Sequence, residues 1–226
     1  MLRITLSALL AVLLTGCAAT LKMPLQSDTE KVGASGKTVY LMSVSLQNTC
    51  RDRFVPELTT VQVAREGADS KAAPMLFKMD SKGVHESEEK NVPPRYLVRL
   101  ELDAGNYTIQ GLPSAASGFP IRATFFAPLH SPLKVAQSGV FYLGAVNANV
   151  RPRKGEEFKA GPTIPLIDQA VACASSGTFD VEIKDSYETD MLLFTDAFPQ
   201  LKGIRVDKSV LPPFDRAVAQ KWWEQN

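Results

Sequence analysis

Two histidines, three cysteines and one acidic cluster are the residues on which chemistry would rest in this chain of 226 residues. Neither His85 nor His130 stands near a cysteine or a second histidine at metal-ligand spacing, so no metal site and no cofactor are expected. Asp185, Glu188 and Asp190 form the acidic cluster. Such a trio suits a cation site or an acid–base pair. It also suits the start of a helix, whose unpaired N–H groups and positive dipole end favour carboxylates. The apolar stripe that begins at Tyr187 makes helix capping the expected role. Arg151, Arg153 and Lys154 form a small basic run suited to anionic headgroups, but Glu156 and Glu157 neutralise it at once. A solvated turn is expected there.

Two short patterns carry less than their letters promise. Residues 131–134 read Ser-Pro-Leu-Lys, a match to Ser-x-x-Lys, without the Ser-Asp-Asn and Lys-Thr-Gly companions that catalysis on that pattern requires. Residues 33–38 read Gly-Ala-Ser-Gly-Lys-Thr, the tail of a phosphate-cradling loop. Lys31 stands where its first glycine belongs, and a strand follows where a helix is needed. No Gly-x-Ser-x-Gly elbow is present.

Strands must position whatever these residues do. Tyr40, Met42, Val44 and Leu46 alternate along one strand face, and Val61 with Val63 suggest a second strand. Residues 75–79 are a third candidate, and residues 80–94 read as an exposed loop. The clearest strand places Tyr96, Val98, Leu100 and Leu102 on one face and Arg99, Glu101 and Asp103 on the other. Further alternation marks Tyr107 and Ile109, then Ile121, Ala123 and Phe125, then Phe141, Leu143 and Ala145, then Phe179, Val181 and Ile183. Two helices are expected. One carries Tyr187, Met191, Phe194 and Phe198 on a single stripe and stops at Pro199. The other follows Pro212-Pro213, with Phe214, Val218 and Trp222 sharing the face that should pack on the domain. Trp223 falls nearer Arg216, Ala219 and Gln220, on the polar side. It is expected either to be partly exposed and contact a partner or a lipid interface, or to fold back over the domain. Many short strands between Gly and Pro turns make the fold class mainly β, a single β-sandwich with two short helices near the C-terminus.

Composition is that of a globular domain, 45% hydrophobic and 22% charged. With 25 basic and 24 acidic residues the charges nearly cancel, which gives no bulk attraction to nucleic acid. The N-terminus is a targeting segment: Arg3, then an apolar run from Ile4 to Leu14, too short for a membrane span of roughly 20 residues. Leu14-Thr15-Gly16-Cys17 follows, and it resembles the lipobox of bacterial lipoproteins. The resemblance implies cleavage before Cys17, acyl chains on that cysteine and stable membrane attachment through N-terminal lipid. By the same resemblance Ala18, in place of a retention aspartate, points to the outer membrane, facing either the periplasm or the medium. The organisation that follows is a signal peptide over residues 1–16, the lipidated cysteine and a flexible tether over 17–37, and the sandwich with its C-terminal helices over 38–226. Cys50 and Cys173 are then an even pair in an oxidising compartment, and a disulfide between them is expected.

Residues 103–109, Asp-Ala-Gly-Asn-Tyr-Thr-Ile, resemble the tyrosine corner of immunoglobulin-like domains, in which the tyrosine hydroxyl bonds back to nearby backbone. Ile109 stands where antibody-like domains carry a cysteine, so the wider immunoglobulin-like or transthyretin-like sandwich class is the one implied. With the lipobox, the Tyr-Leu-Gly strand at 142–144, the acidic helix start and Phe198-Pro199, the chain is similar in outline to uncharacterised bacterial outer-membrane lipoproteins. That outline covers most of residues 96–201 and brings no activity with it. The expected function is a non-enzymatic binding or assembly module of the envelope with a protein or glycan partner. The alternatives are a hydrolase acting on envelope carbohydrate and a purely structural accessory lipoprotein. A glycan binder should cluster aromatics on one sheet face, and a glycoside hydrolase should show two carboxylates a few ångströms apart.

Overall fold

Alternating apolar residues with β-branched and aromatic enrichment favour a pleated, half-buried backbone, and among the described residues twelve strands form from them. The computed structural model describes residues 20–67, 73–87, 89, 92–135 and 138–225. The signal segment and Cys17 lie outside the described residues. In chain order the strands are β1 (Thr20–Lys22), β2 (Thr38–Asn48), β3 (Glu57–Leu58), β4 (Thr60–Arg65), β5 (Met75–Lys78), β6 (Val84–His85), β7 (Arg95–Leu102), β8 (Gly105–Gly118), β9 (Ile121–Val135), β10 (Gly139–Pro152), β11 (Gly177–Lys184) and β12 (Val206–Lys208). Three helices accompany them: α1 (Leu166–Val171), α2 (Tyr187–Ala197) and α3 (Arg216–Gln225).

The first sheet runs β1–β5–β4–β8–β9, with β3 beside β8 further along the edge that β4 occupies. The second runs β11–β10–β2–β7–β6, with β12 continuing the β11 edge of β10. Their facing sides interdigitate in one core. Met42, Val44, Val98 and Leu100 come from the second sheet, and Val61, Val63, Ile109 and Phe125 from the first. This is the expected mainly-β sandwich with C-terminal helices. Cys50 and Cys173 are bridged, with their Cα atoms 6.2 Å apart. The Tyr107 hydroxyl donates to the Asp103 carbonyl at 3.1 Å, the contact expected of a tyrosine corner.

The second sheet is covered on its outer side as well. There Val39, Leu41, Leu97 and Tyr142 pack beneath Phe194 of α2 and Phe198 just after it in a second cluster. This corrects three expectations. The polar face assigned to the strand at 95–102 is buried in part, because Leu97 and Arg99 point under α2 rather than into water. Part of the segment expected as a flexible tether is fixed: β1 pairs with β5, Met23 enters the main core and Leu25 enters the second cluster. The loop expected at 80–94 contributes β6 and brings Gly83 against Arg99, where a Cβ would fall 2.5 Å from the guanidinium Nη1. Arg99 is held there by three acceptors, the Pro24 carbonyl at 3.0 Å, the Leu97 carbonyl at 2.8 Å and the Asp80 carboxylate. Its guanidinium lies 4.1 Å from the Phe198 ring centroid. Burial lowers its pKa, and Asp80 works against that shift.

Candidate functional site

Phe125 and Phe126 are adjacent on β9, and successive strand side chains point to opposite faces. Phe125 therefore enters the core and Phe126 stands outside the first sheet. Helix α3 lies over that outer face. It starts there because Pro212-Pro213 precede it and the Asp215 carboxylate accepts the N–H groups of Ala217 and Val218, at 2.9 and 3.1 Å. Ala219 is fully buried, which lets the helix backbone sit close to the sheet. Trp222 then stacks on Phe126 with ring centroids 5.3 Å apart, and its ring lies 4.8 Å from that of His130. Burial lowers the pKa of His130, and its Nε2 has no hydrogen-bond partner among the described residues. A neutral imidazole in that stack fits both facts.

The opposite wall is the segment before α1. Gln220 pins it by accepting the Phe158 N–H at 2.7 Å and donating to the Glu156 carbonyl at 2.8 Å. Arg216 of α3 donates to the Phe179 carbonyl at 2.6 Å, and its guanidinium lies 5.0 Å from the Phe158 ring centroid. Trp223 packs against the main core, with the Arg153 guanidinium 5.5 Å from its ring. Between these walls lies an open cleft of about 270 Å³, lined chiefly by Phe126, Phe158, Lys159, Pro162, Trp222 and Trp223. Among the described residues no carboxylate lines it. Its surfaces are aromatic faces with the Lys159 side chain beside them, a set that can stack on a flat ring.

No protein family, curated protein or solved structure matches the chain.

Two sequence expectations about α3 are corrected here. Val218 is exposed and Ala219 takes the buried position, so the packed face is turned by one residue. Both tryptophans line the same cleft, although their separation around the helix had placed them on different surfaces. Phe126, Phe158 and His130 were not foreseen, yet the Phe-Phe pair on a strand was a readable sign that one ring must stand outside.

A second cluster of functional types lies under α2. Asp190 is fully buried and accepts from Ser43 Oγ at 2.6 Å, Tyr142 Oη at 2.6 Å and Arg95 Nη1 at 2.8 Å. The Tyr142 hydroxyl accepts the Ser186 N–H at 3.2 Å, so one group serves both the carboxylate and the start of the helix. Burial first, and then the Asp190 carboxylate, raise the Tyr142 pKa. The acidic trio therefore divides. Asp185 does receive the Tyr187 N–H, at 3.0 Å, and pairs with Lys208. Asp190 is no surface cap but the anchor of α2 to the sheet. Among the described residues no group of three potential ligands is placed to hold a metal ion. In the basic run, Arg151 pairs with Glu157 and Asp180, and Arg153 with Glu156, as expected of a neutralised turn.

Proposed function

We propose that this protein is a non-enzymatic binding module of the cell envelope, attached to the outer membrane by lipid on Cys17, and that the cleft beneath α3 takes one ring of an envelope saccharide. The observation that carries the reading is the convergence of Phe126, Trp222 and Trp223 on one cleft outside the first sheet, with the buried Phe158 behind them. Aromatic faces are electron-rich and meet the weakly positive C–H face of a pyranose well. The cleft volume is at the small end for ligand sites, which suits one or two sugar units rather than a long chain. Trp223 is the partner-contacting residue of this reading.

The test is sedimentation of the purified protein with murein sacculi, together with titration by core oligosaccharide, for the wild type and for Trp223→Ala and Phe126→Ala. Binding of one glycan by the wild type, weakened about tenfold or more in both variants, is the expected result. Equal binding by all three proteins, or none by the wild type, overturns the saccharide reading. The attachment is tested separately: labelled palmitate should enter the wild type and not Cys17→Ser.

A further inference from the structure

The end of the first sheet where β8 turns into β9 leaves large apolar side chains in solvent. Phe119 in that turn is 95% exposed, Ile164 is 81%, and Leu166 and Ile167 of α1 are 66% and 72%. This exposure is fixed in place. The Arg122 N–H donates to Asp168 Oδ2 at 3.0 Å, the Thr124 N–H donates to Gln169 Oε1 at 3.2 Å, and Gln169 Nε2 donates to Thr124 Oγ1 at 2.8 Å. Helix α1 is thereby held on β9 by its polar residues. Gln169 is fully buried while Leu166, Ile167 and Val171 face out. That is the reverse of the ordinary arrangement of a water-facing helix. Arg122 and Arg53 border the same end, the latter with its Nε 3.7 Å from where a Cβ on Gly118 would stand. Arg51 is next to the bridged Cys50, whose partner Cys173 lies two residues beyond α1. All three arginines are exposed.

We infer that this apolar tip inserts into the interface of an anionic phospholipid bilayer, with the three arginines at the headgroups. A convex tip of a few side chains is small beside the roughly 800 Å² per partner of a stable protein interface. A bilayer needs no matching surface, and apolar groups rimmed by arginine suit an anionic one. The inference uses neither the cleft nor the acyl chains on Cys17, so it stands or falls apart from the saccharide reading.

The full chain isolated from cells and reconstituted into vesicles provides the test. Phe119→Trp places a probe at the tip, Leu192→Trp places a control on α2, and the emission of Trp222 and Trp223 is subtracted using the wild type. In vesicles of brominated phosphatidylcholine and phosphatidylglycerol at three to one, the tip probe should lose at least half its emission and the control almost none. Ile167→Asp in the Phe119→Trp protein should restore the emission. Arg53→Glu with Arg122→Glu should weaken the quenching about tenfold in lipid concentration. An unquenched tip probe in protein that floats with the vesicles overturns the inference, because attachment then uses another part of the chain. Burial of the tip probe that follows protein concentration without lipid also overturns it and assigns the tip to a second copy.

Discussion

Asp190 is closed to water and meets three donors, two of which would be stranded by its loss. Ser43 and Tyr142 are buried with it, while Arg95 keeps about a third of its side chain in solvent and can rehydrate. Asp190→Ala should therefore destabilise by about 3 kcal/mol, the low end for breaking a buried ion pair. Tyr142→Phe removes the hydroxyl that donates to Asp190 and accepts the Ser186 N–H, and should cost about 1–3 kcal/mol, as for two lost hydrogen bonds. Urea unfolding of both variants and of the double variant checks this, and the double should lose less than the sum because the residues share one network. Alkaline pH reaches the same region. Tyr142 has its pKa raised, and burial pushes Tyr96 from the ordinary 10 up to about 12. Above pH 10 the unfolded chain gives up these protons while the folded chain keeps them, so the folded state binds more protons and loses stability as pH rises. The urea midpoint should hold up to pH 10, then fall toward pH 12, and Tyr96→Phe should make that fall shallower. Asp190 was legible as an acid near a helix start but not as a buried one, because the sheet that buries it lies more than forty positions away in sequence at Tyr142.

The long strands were legible where their alternation is strict and their buried face apolar, as over 96–102; β8 beyond Ile109 and β9 beyond Phe125 were not, and a register shift interrupts their pairing between Ile109 and Gly111. Arg99 broke the rule only because the second sheet is covered on both sides, and a sheet so covered no longer alternates between oil and water. Short elements such as β3, β6, β12 and α1 carry too few residues for a period to show. The register of α3 was misread because apolar size alone selected Val218, whereas close approach of a helix to a sheet selects the smallest residue, Ala219. Ala219→Leu should accordingly destabilise by about 1–3 kcal/mol through overpacking, while Val218→Ser should stay within about 0.5 kcal/mol. Thermal unfolding of the two variants separates the registers. At the junction of β7 with β8, Tyr107→Phe should cost about 1–2 kcal/mol in urea unfolding, since its hydroxyl is what ties the strand to the turn before it.

Across the whole molecule, the disulfide closes a loop of 123 residues in sequence separation that holds most of the first sheet and half the strands of the second. On chain-entropy grounds its removal in a Cys50→Ser, Cys173→Ser variant should lower stability by up to about 4–5 kcal/mol, measurable in urea with the wild type under oxidising conditions as reference. The sandwich as a whole was readable from sequence, whereas the cleft was not, because it joins β9, residues 158–162 and α3, which no local pattern connects. The early pairing of β1 carries a consequence for posture. Only Ala18 and Ala19 separate Cys17 from Thr20, and so few residues reach at most about 10 Å. Acyl chains on Cys17 would hold the domain on a short leash rather than let it roam above the bilayer. β1 runs parallel to β5, and the pairings of Thr20 with Leu76, Leu76 with Gln62 and Gln62 with Gly111 set Thr20 level with the middle of β8, so that Phe119 lies about 27 Å further along the strand. Two attachments that far apart would lay the strands flat along the membrane and stop the body from swivelling, so the mouth of the cleft would keep one fixed bearing toward whatever lies beside it.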